Sequence, residues 1–121
     1  MTVEHVLLLD LRDDAELIAA YERYHAPGAG RPEIAASIRR SGIEEMRIYR
    51  LGTRLVMVMR VDETFDFAAK AAADAADPAV QRWEALMARF QQTGPNGEKW
   101  QRATQIFDLA TAISPTDAGR A

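Results

Sequence analysis

The sequence predicts an α+β fold: a ferredoxin-like split β-α-β sandwich, with a four-stranded antiparallel sheet carrying its helices on one face. Three observations point there. Apolar patterns follow one another in the order strand, helix pair, strand, strand, helix pair, strand. Glycine and proline fall between these patterns or in a helix's first turn. The run Leu55-Val56-Met57-Val58-Met59 is apolar on both faces, although side chains alternate along a strand. One of those faces must therefore meet something other than the helix layer. An apolar sheet face marks an interface, so a homodimer with its two sheets packed face to face is expected.

Each element has its own signal. Val3 to Leu11, with Val6, Leu7, Leu8 and Leu9, reads as a buried strand. Asp13 and Asp14 then offer an N-cap for a helix from about Asp14 to His25, with Leu17, Ile18, Tyr21, Tyr24 and His25 on a broad common face. Ala26-Pro27-Gly28-Ala29-Gly30 breaks it. Pro32-Glu33 opens a second helix, carried by Ile34 and Ile38 and ended at Ser41-Gly42. Ile43 to Leu51 and Arg54 to Val61 form a hairpin around Gly52-Thr53. An Ala-rich helix runs from Ala68 to about Ala76, and Asp77-Pro78 caps and starts the next, striped by Val80, Trp83, Met87 and Phe90. Gly94-Pro95-Asn96-Gly97 is a loop, and Thr104 to Leu109 reads as the last strand. A single domain over 1–110 and a flexible C-terminal tail over 111–121 follow.

Composition excludes several function classes. A net charge of −3 and no long run of one sign argue against a nucleic-acid partner. The chain has no cysteine, which removes thiolate catalysis and Cys-based metal sites. No histidine or carboxylate spacing resembles a metal site, so neither metal nor cofactor is expected. The N-terminal stretch has no basic region followed by a long apolar run, so no signal peptide, no membrane association and a cytoplasmic location are expected.

The chemistry concentrates on one helix. Tyr21 and His25 stand four residues apart, which puts a phenol and an imidazole on one face, one turn apart. Imidazole can give and take protons near neutral pH, so proton transfer is the expected chemistry. A histidine at a helix end can also serve merely to satisfy the last carbonyls. His5, on the first strand, has no evident partner and reads as a structural residue. Trp83 shares helical spacing with Val80 and Met87 and reads as core, yet aromatic side chains recur in small-ligand pockets. Trp100 follows the Gly/Pro loop and is a candidate lid, and Tyr49 sits in the hairpin and can face either way.

An ordered set of short motifs adds to this. Tyr21-Glu22-Arg23-Tyr24-His25, Pro32-Glu33, Ser41-Gly42, Ile48-Tyr49 and Gln81-Arg82-Trp83, with the closing Ile106-Phe107-Asp108-Leu109, resemble the L-rhamnose mutarotase family over residues 3 to 109. Lys70 to Pro78 and Gly97-Glu98-Lys99-Trp100 look like a branch associated with L-fucose. The resemblance implies a dimeric α+β barrel, no cofactor, and interconversion of the α and β anomers of a 6-deoxy-L-hexose. It implies His25 and Tyr21 as the catalytic pair and Trp83 as a sugar-binding residue. A further sugar-binding tyrosine of the rhamnose enzymes falls on Met46, and Tyr49 and Trp100 are expected to close the pocket. The family's tryptophan between the histidine and Pro-Glu is missing from Ala26-Pro27-Gly28-Ala29-Gly30-Arg31. Two rivals share the fold: a cofactor-free monooxygenase or haem-handling protein, and a dimer that binds a sugar or metabolite without turning it over.

Overall fold

The computed structural model describes residues 2–95 and 97–113. Chain order is β1 (Val3–Asp10), α1 (Ala15–Tyr24), α2 (Pro32–Arg40), β2 (Ile43–Leu51), β3 (Arg54–Val61), α3 (Phe67–Ala76), α4 (Pro78–Met87) and β4 (Gln101–Arg102). The sheet has four strands in the order β2-β3-β1-β4, with every neighbouring pair antiparallel. This is the split β-α-β arrangement expected from the sequence. Among the described residues, no helix is long and apolar enough to cross a membrane.

Local chemistry sets the helix ends. The Asp14 carboxylate accepts from the backbone N–H groups of Glu16 and Leu17, Asp66 from Ala68 and Asp77 from Ala79. Pro32 and Pro78 occupy first-turn positions, where a missing N–H costs nothing. The glycine after α2 carries a stricter demand. Gly42 has φ +99°, and a Cβ there would lie 2.6 Å from Asp62 Oδ1 and 2.8 Å from Thr64 Oγ1. Its carbonyl accepts from Asp62 N–H at 2.9 Å, which ties the α2–β2 turn to the end of β3. Gly42→Ala is expected to cost about 1–3 kcal/mol from backbone conformation alone. Urea unfolding monitored by circular dichroism checks it, and an unchanged midpoint would show that the turn relaxes freely.

Pleating divides the sheet as the apolar pattern requires. Leu7, Leu9, Leu55, Met57, Met59 and Val61 are buried on the helix side. They join two clusters: Leu9, Leu11 and Leu55 with Tyr21, Met87 and Phe90, and Leu7, Met57, Met59 and Val61 with Ile43. On the opposite face Val6 pairs with Val58 and Leu8 with Val56, all half-buried, and Tyr49 lies beside Val56. Charged pairs frame this apolar centre. Arg54 donates to Asp10 at 2.9 and 3.1 Å at one end, and Arg60 to Glu45 at 2.9 Å at the other. The Arg54 hydrogen bonds hold the Asp10 carboxyl below its ordinary value.

The C-terminal part departs from expectation. Thr104 to Leu109 does not form the last strand. Only Gln101 and Arg102 pair with β1, and residues 103–108 belong to no helix or strand before a short 3-10 turn at Leu109–Thr111. The strand-like composition is there, but among the described residues the segment has no neighbouring strand. Asn96 of the expected loop lies outside the described residues, as does the expected tail beyond Ile113.

Candidate functional site

Helix α1 presents Tyr21 toward the core and His25 at its C-terminal end. Tyr21 is 4% exposed and packs edge-on against Phe90 at 6.1 Å. Its phenol is pushed up from its ordinary value by burial, with a hydrogen bond from the Gln91 side chain opposing the shift. The hydroxyl therefore stays protonated at neutral pH. The neighbouring Gln91 Oε1 is buried without a hydrogen-bond partner.

His25 sits where the helix stops, and its ring is fixed in two ways. It stacks on the Tyr21 ring, with centroids 4.3 Å apart and planes at 29°. Its Nδ1 lies 2.7 Å from the Tyr21 carbonyl oxygen. A carbonyl can only accept, so Nδ1 carries the hydrogen and the neutral ring presents its lone pair at Nε2. The i, i+4 spacing visible in the sequence thus sets both the ring's orientation and its tautomer.

A cavity of about 450 Å³ opens beside this pair, lined by Tyr21, Glu22, His25, Ile48, Tyr49, Arg50 and Leu55. That volume falls in the range of small-ligand sites. The imidazole is exposed at its rim, neither sealed in hydrocarbon nor directed away from a cavity. Trp83 of α4 flanks the ring edge-on at 5.5 Å, and Tyr24 meets Trp83 at 6.4 Å. The Arg31 guanidinium lies 5.1 Å from the Trp83 ring centroid. An arginine from the glycine-containing loop therefore covers the indole.

Tyr21, His25 and Tyr49 line the cavity, and Trp83 stands against the imidazole. Met46 and Trp100 do not line it. Met46 shares the helix-facing side of β2 with Ile48 but lies one strand period further along, packed on the second core cluster. Trp100 is half-buried against both clusters, because β4 turns it with Arg102 to the helix side of the sheet. It is a core residue and not a lid over this cavity. His5 is remote as well, packed edge-on against Phe67 at 4.9 Å.

Sequence reasoning missed the charged pair at the cavity mouth, in which Arg50 Nε donates to Glu22. Arg50 also donates to the Gly52 carbonyl at 2.8 Å. A signal existed: Met46, Ile48 and Arg50 share one face of β2, and an arginine ending an apolar row calls for a carboxylate opposite it. A second cavity, about 330 Å³, lies on the β1–β4 side of the sheet, with Asp10, Arg54, Lys99 and Gln101 among its lining. No histidine lines it.

A model of the L-rhamnose mutarotase family matches residues 4–109. The chain belongs to the L-rhamnose mutarotase family. Mutarotases are isomerases that interconvert sugar anomers, and the expected family and enzyme class stand. An L-fucose mutarotase of Xanthomonas campestris pv. campestris is 56% identical over 110 residues, covering 88% of each chain. A UPF0734 protein of Dictyostelium discoideum is 32% identical over 111 residues, covering 84% of this chain and 85% of its own. The crystal structure of an L-rhamnose mutarotase from Formosa agariphila superposes with a TM-score of 0.66 at 18% identity, covering 88% of this chain and 98% of that one. At that identity the superposition speaks for the fold, which is the α+β sandwich expected from the sequence.

Proposed function

We propose that the protein interconverts the α and β anomers of a 6-deoxy-L-hexose, L-fucose foremost and L-rhamnose second, with His25 as the proton carrier. The observation that carries the reading is the Nδ1 contact to the Tyr21 carbonyl, which leaves Nε2 free at the cavity. Ring opening removes the proton from the anomeric hydroxyl and delivers one to the ring oxygen. Both oxygens are bonded to the anomeric carbon, so one nitrogen can serve both. Nε2 accepts the hydroxyl proton as the bond from the anomeric carbon to the ring oxygen breaks and a carbonyl forms. The imidazolium then protonates the released ring oxygen. Rotation about the first carbon–carbon bond and the reverse steps give the other anomer, with no proton gained or lost.

Tyr21 supports the imidazole from below as a neutral phenol, because its burial disfavours ionisation. It orients the ring and does not relay a proton itself. Trp83 offers an apolar edge to the sugar's methyl group or ring face, and Tyr49 closes one side. The 56% identity to an L-fucose mutarotase favours L-fucose over L-rhamnose. The apolar sheet face framed by Asp10–Arg54 and Glu45–Arg60 supports a homodimer through that face. A cytoplasmic location belongs to the same reading.

Magnetisation exchange between the anomeric protons of L-fucose and L-rhamnose tests it directly. Purified protein is expected to accelerate exchange for at least one of the two sugars, and more for L-fucose. Rates equal to those in buffer alone for both would remove the enzymatic reading and leave a binding protein.

A further inference from the structure

Two fixed charges line the His25 cavity, and the proton transfer uses neither. They are Glu22 of α1 and Arg50 near the end of β2. Arg50 Nε donates to the Glu22 carboxylate, and Arg50 Nη1 donates to the Gly52 carbonyl at 2.8 Å. These two bonds hold the guanidinium in place. They leave capacity on both groups, because a guanidinium carries five N–H donors and a carboxylate offers about four lone-pair sites. The side chains are 37% and 53% exposed, so a ligand in the cavity reaches both. An ion pair this exposed contributes little to stability.

A fixed donor beside a fixed acceptor matches a vicinal diol. One hydroxyl gives its hydrogen to the carboxylate, and the neighbouring oxygen accepts from the guanidinium. Position along α1 selects the diol. Glu22 stands three residues before His25, the C-cap of the helix, and side chains at that spacing are neighbours about 5–6 Å apart at Cβ. A pyranose ring fits across such a gap. Nε2 works at O1 and O5, which are both bonded to C1. The ring atoms opposite C1 and O5 are C4 and C3, so the far edge of the sugar carries the hydroxyls O4 and O3. That edge also separates the two sugars. L-fucose and L-rhamnose differ in configuration at C2 and C4, so L-fucose holds O3 and O4 cis and L-rhamnose holds them trans.

We infer that Glu22 and Arg50 clamp the O3–O4 diol of the sugar, and that this clamp selects the hexose by its configuration at C4. The inference rests on the anomerase reading above and adds the residues that hold and choose the substrate. It also fits what the reaction asks of the bound sugar. After ring opening the aldehyde turns about the C1–C2 bond, while O5 must stay within reach for reclosure. A hold on O3 and O4 lies beyond the turning bond, so C1 moves freely and the rest of the sugar stays in place. The clamped hydroxyls do not react. Loss of the clamp therefore appears in KM more than in kcat.

The first part of the test needs no variant. Exchange rates of L-fucose and its 2-deoxy, 3-deoxy and 4-deoxy analogues are measured against sugar concentration with the wild-type chain, after subtracting the rate in buffer. Removing O3 or O4 deletes a hydrogen bond to a charged group and is expected to raise KM about tenfold or more, whereas removing O2 is expected to raise it less than about threefold. The 4-epimer, 6-deoxy-L-glucose, is expected to behave like the 4-deoxy sugar. Equal sensitivity to all three hydroxyls, or greatest sensitivity to O2, would overturn the clamp. The second part uses Glu22→Ala/Arg50→Leu, which removes both charges together and leaves neither unpaired. Its far-UV circular dichroism and urea midpoint are expected to match wild type, because the pair is exposed. KM for L-fucose is expected to rise about tenfold with kcat within about threefold, and removal of O3 or O4 to cost nothing further. Additive losses, or an unchanged KM, would mean that the pair and the diol do not meet. Should wild type accelerate no sugar, the anomerase reading alone fails. Dissociation constants of the same sugars from NMR titration then decide the clamp by the same ranking, and binding of none of them would overturn it too.

Discussion

His25→Ala is expected to lower kcat for anomer exchange by about 10²- to 10⁴-fold while leaving the fold in place. The size follows from removing the group that moves the proton in both directions. The reaction proceeds slowly in water without help, so what remains is the background rate plus whatever binding in the cavity contributes. The helix end should survive, because the His25 backbone N–H, which bonds the Glu22 carbonyl at 3.1 Å, is kept by alanine. The imidazole is exposed, so its loss should change stability by no more than about 0.5 kcal/mol. Tyr21→Phe is the matched control. It keeps the aromatic stack under the imidazole and removes only a hydroxyl that faces Gln91, so it should cost far less activity than His25→Ala. Exchange rates measured at saturating sugar, with urea midpoints alongside, separate the two effects. Full activity in His25→Ala would end the proposal that this nitrogen carries the proton.

Helix α1 is legible in the sequence because both signals on it are local. Asp14 caps the helix, and the Tyr21–His25 spacing follows from 3.6 residues per turn, so neither depends on distant packing. The hairpin was equally readable, since its turn chemistry and its alternation agree over Ile43–Leu51 and Arg54–Val61. What could not be read depends on tertiary neighbours. Trp100 looks like a lid in a loop, but the side of the sheet it faces is fixed by the register of Arg102 against Leu7. Met46 shares a face with Ile48, and only the position of α1 decides which of the two borders the cavity. The Arg50–Glu22 pair joins residues 28 positions apart and needs the α1–β2 packing to be seen. The expected last strand shows the converse. Its composition is strand-like, yet a strand exists only where a neighbour pairs with it, and the expected strand over Thr104 to Leu109 does not form.

Leu11→Ala is expected to be the most destabilising single change at the site's foundation, by about 2–5 kcal/mol. Leu11 is 0% exposed and belongs to the cluster that includes Tyr21, Leu55, Met87 and Phe90. Its backbone ties are independent of its side chain: its N–H donates to the Thr53 carbonyl at 2.7 Å, and its carbonyl accepts from Gln92 Nε2 at 2.8 Å. Those ties hold the main chain in place after truncation, so the surroundings cannot collapse fully and an apolar void remains. The void opens in the same cluster as the Tyr21 ring, which stacks under the imidazole. Activity should therefore fall less than stability at low temperature and disappear earlier on heating, as the support of His25 loosens before the chain unfolds. Leu51→Ala provides the contrast: Leu51 is 84% exposed, and its truncation should move the urea midpoint by no more than about 0.5 kcal/mol equivalent. A Leu11→Ala cost below about 1 kcal/mol would mean that the cluster repacks around the gap, and that Tyr21 owes its position to the hydrogen bond with Gln91 rather than to the hydrocarbon behind it.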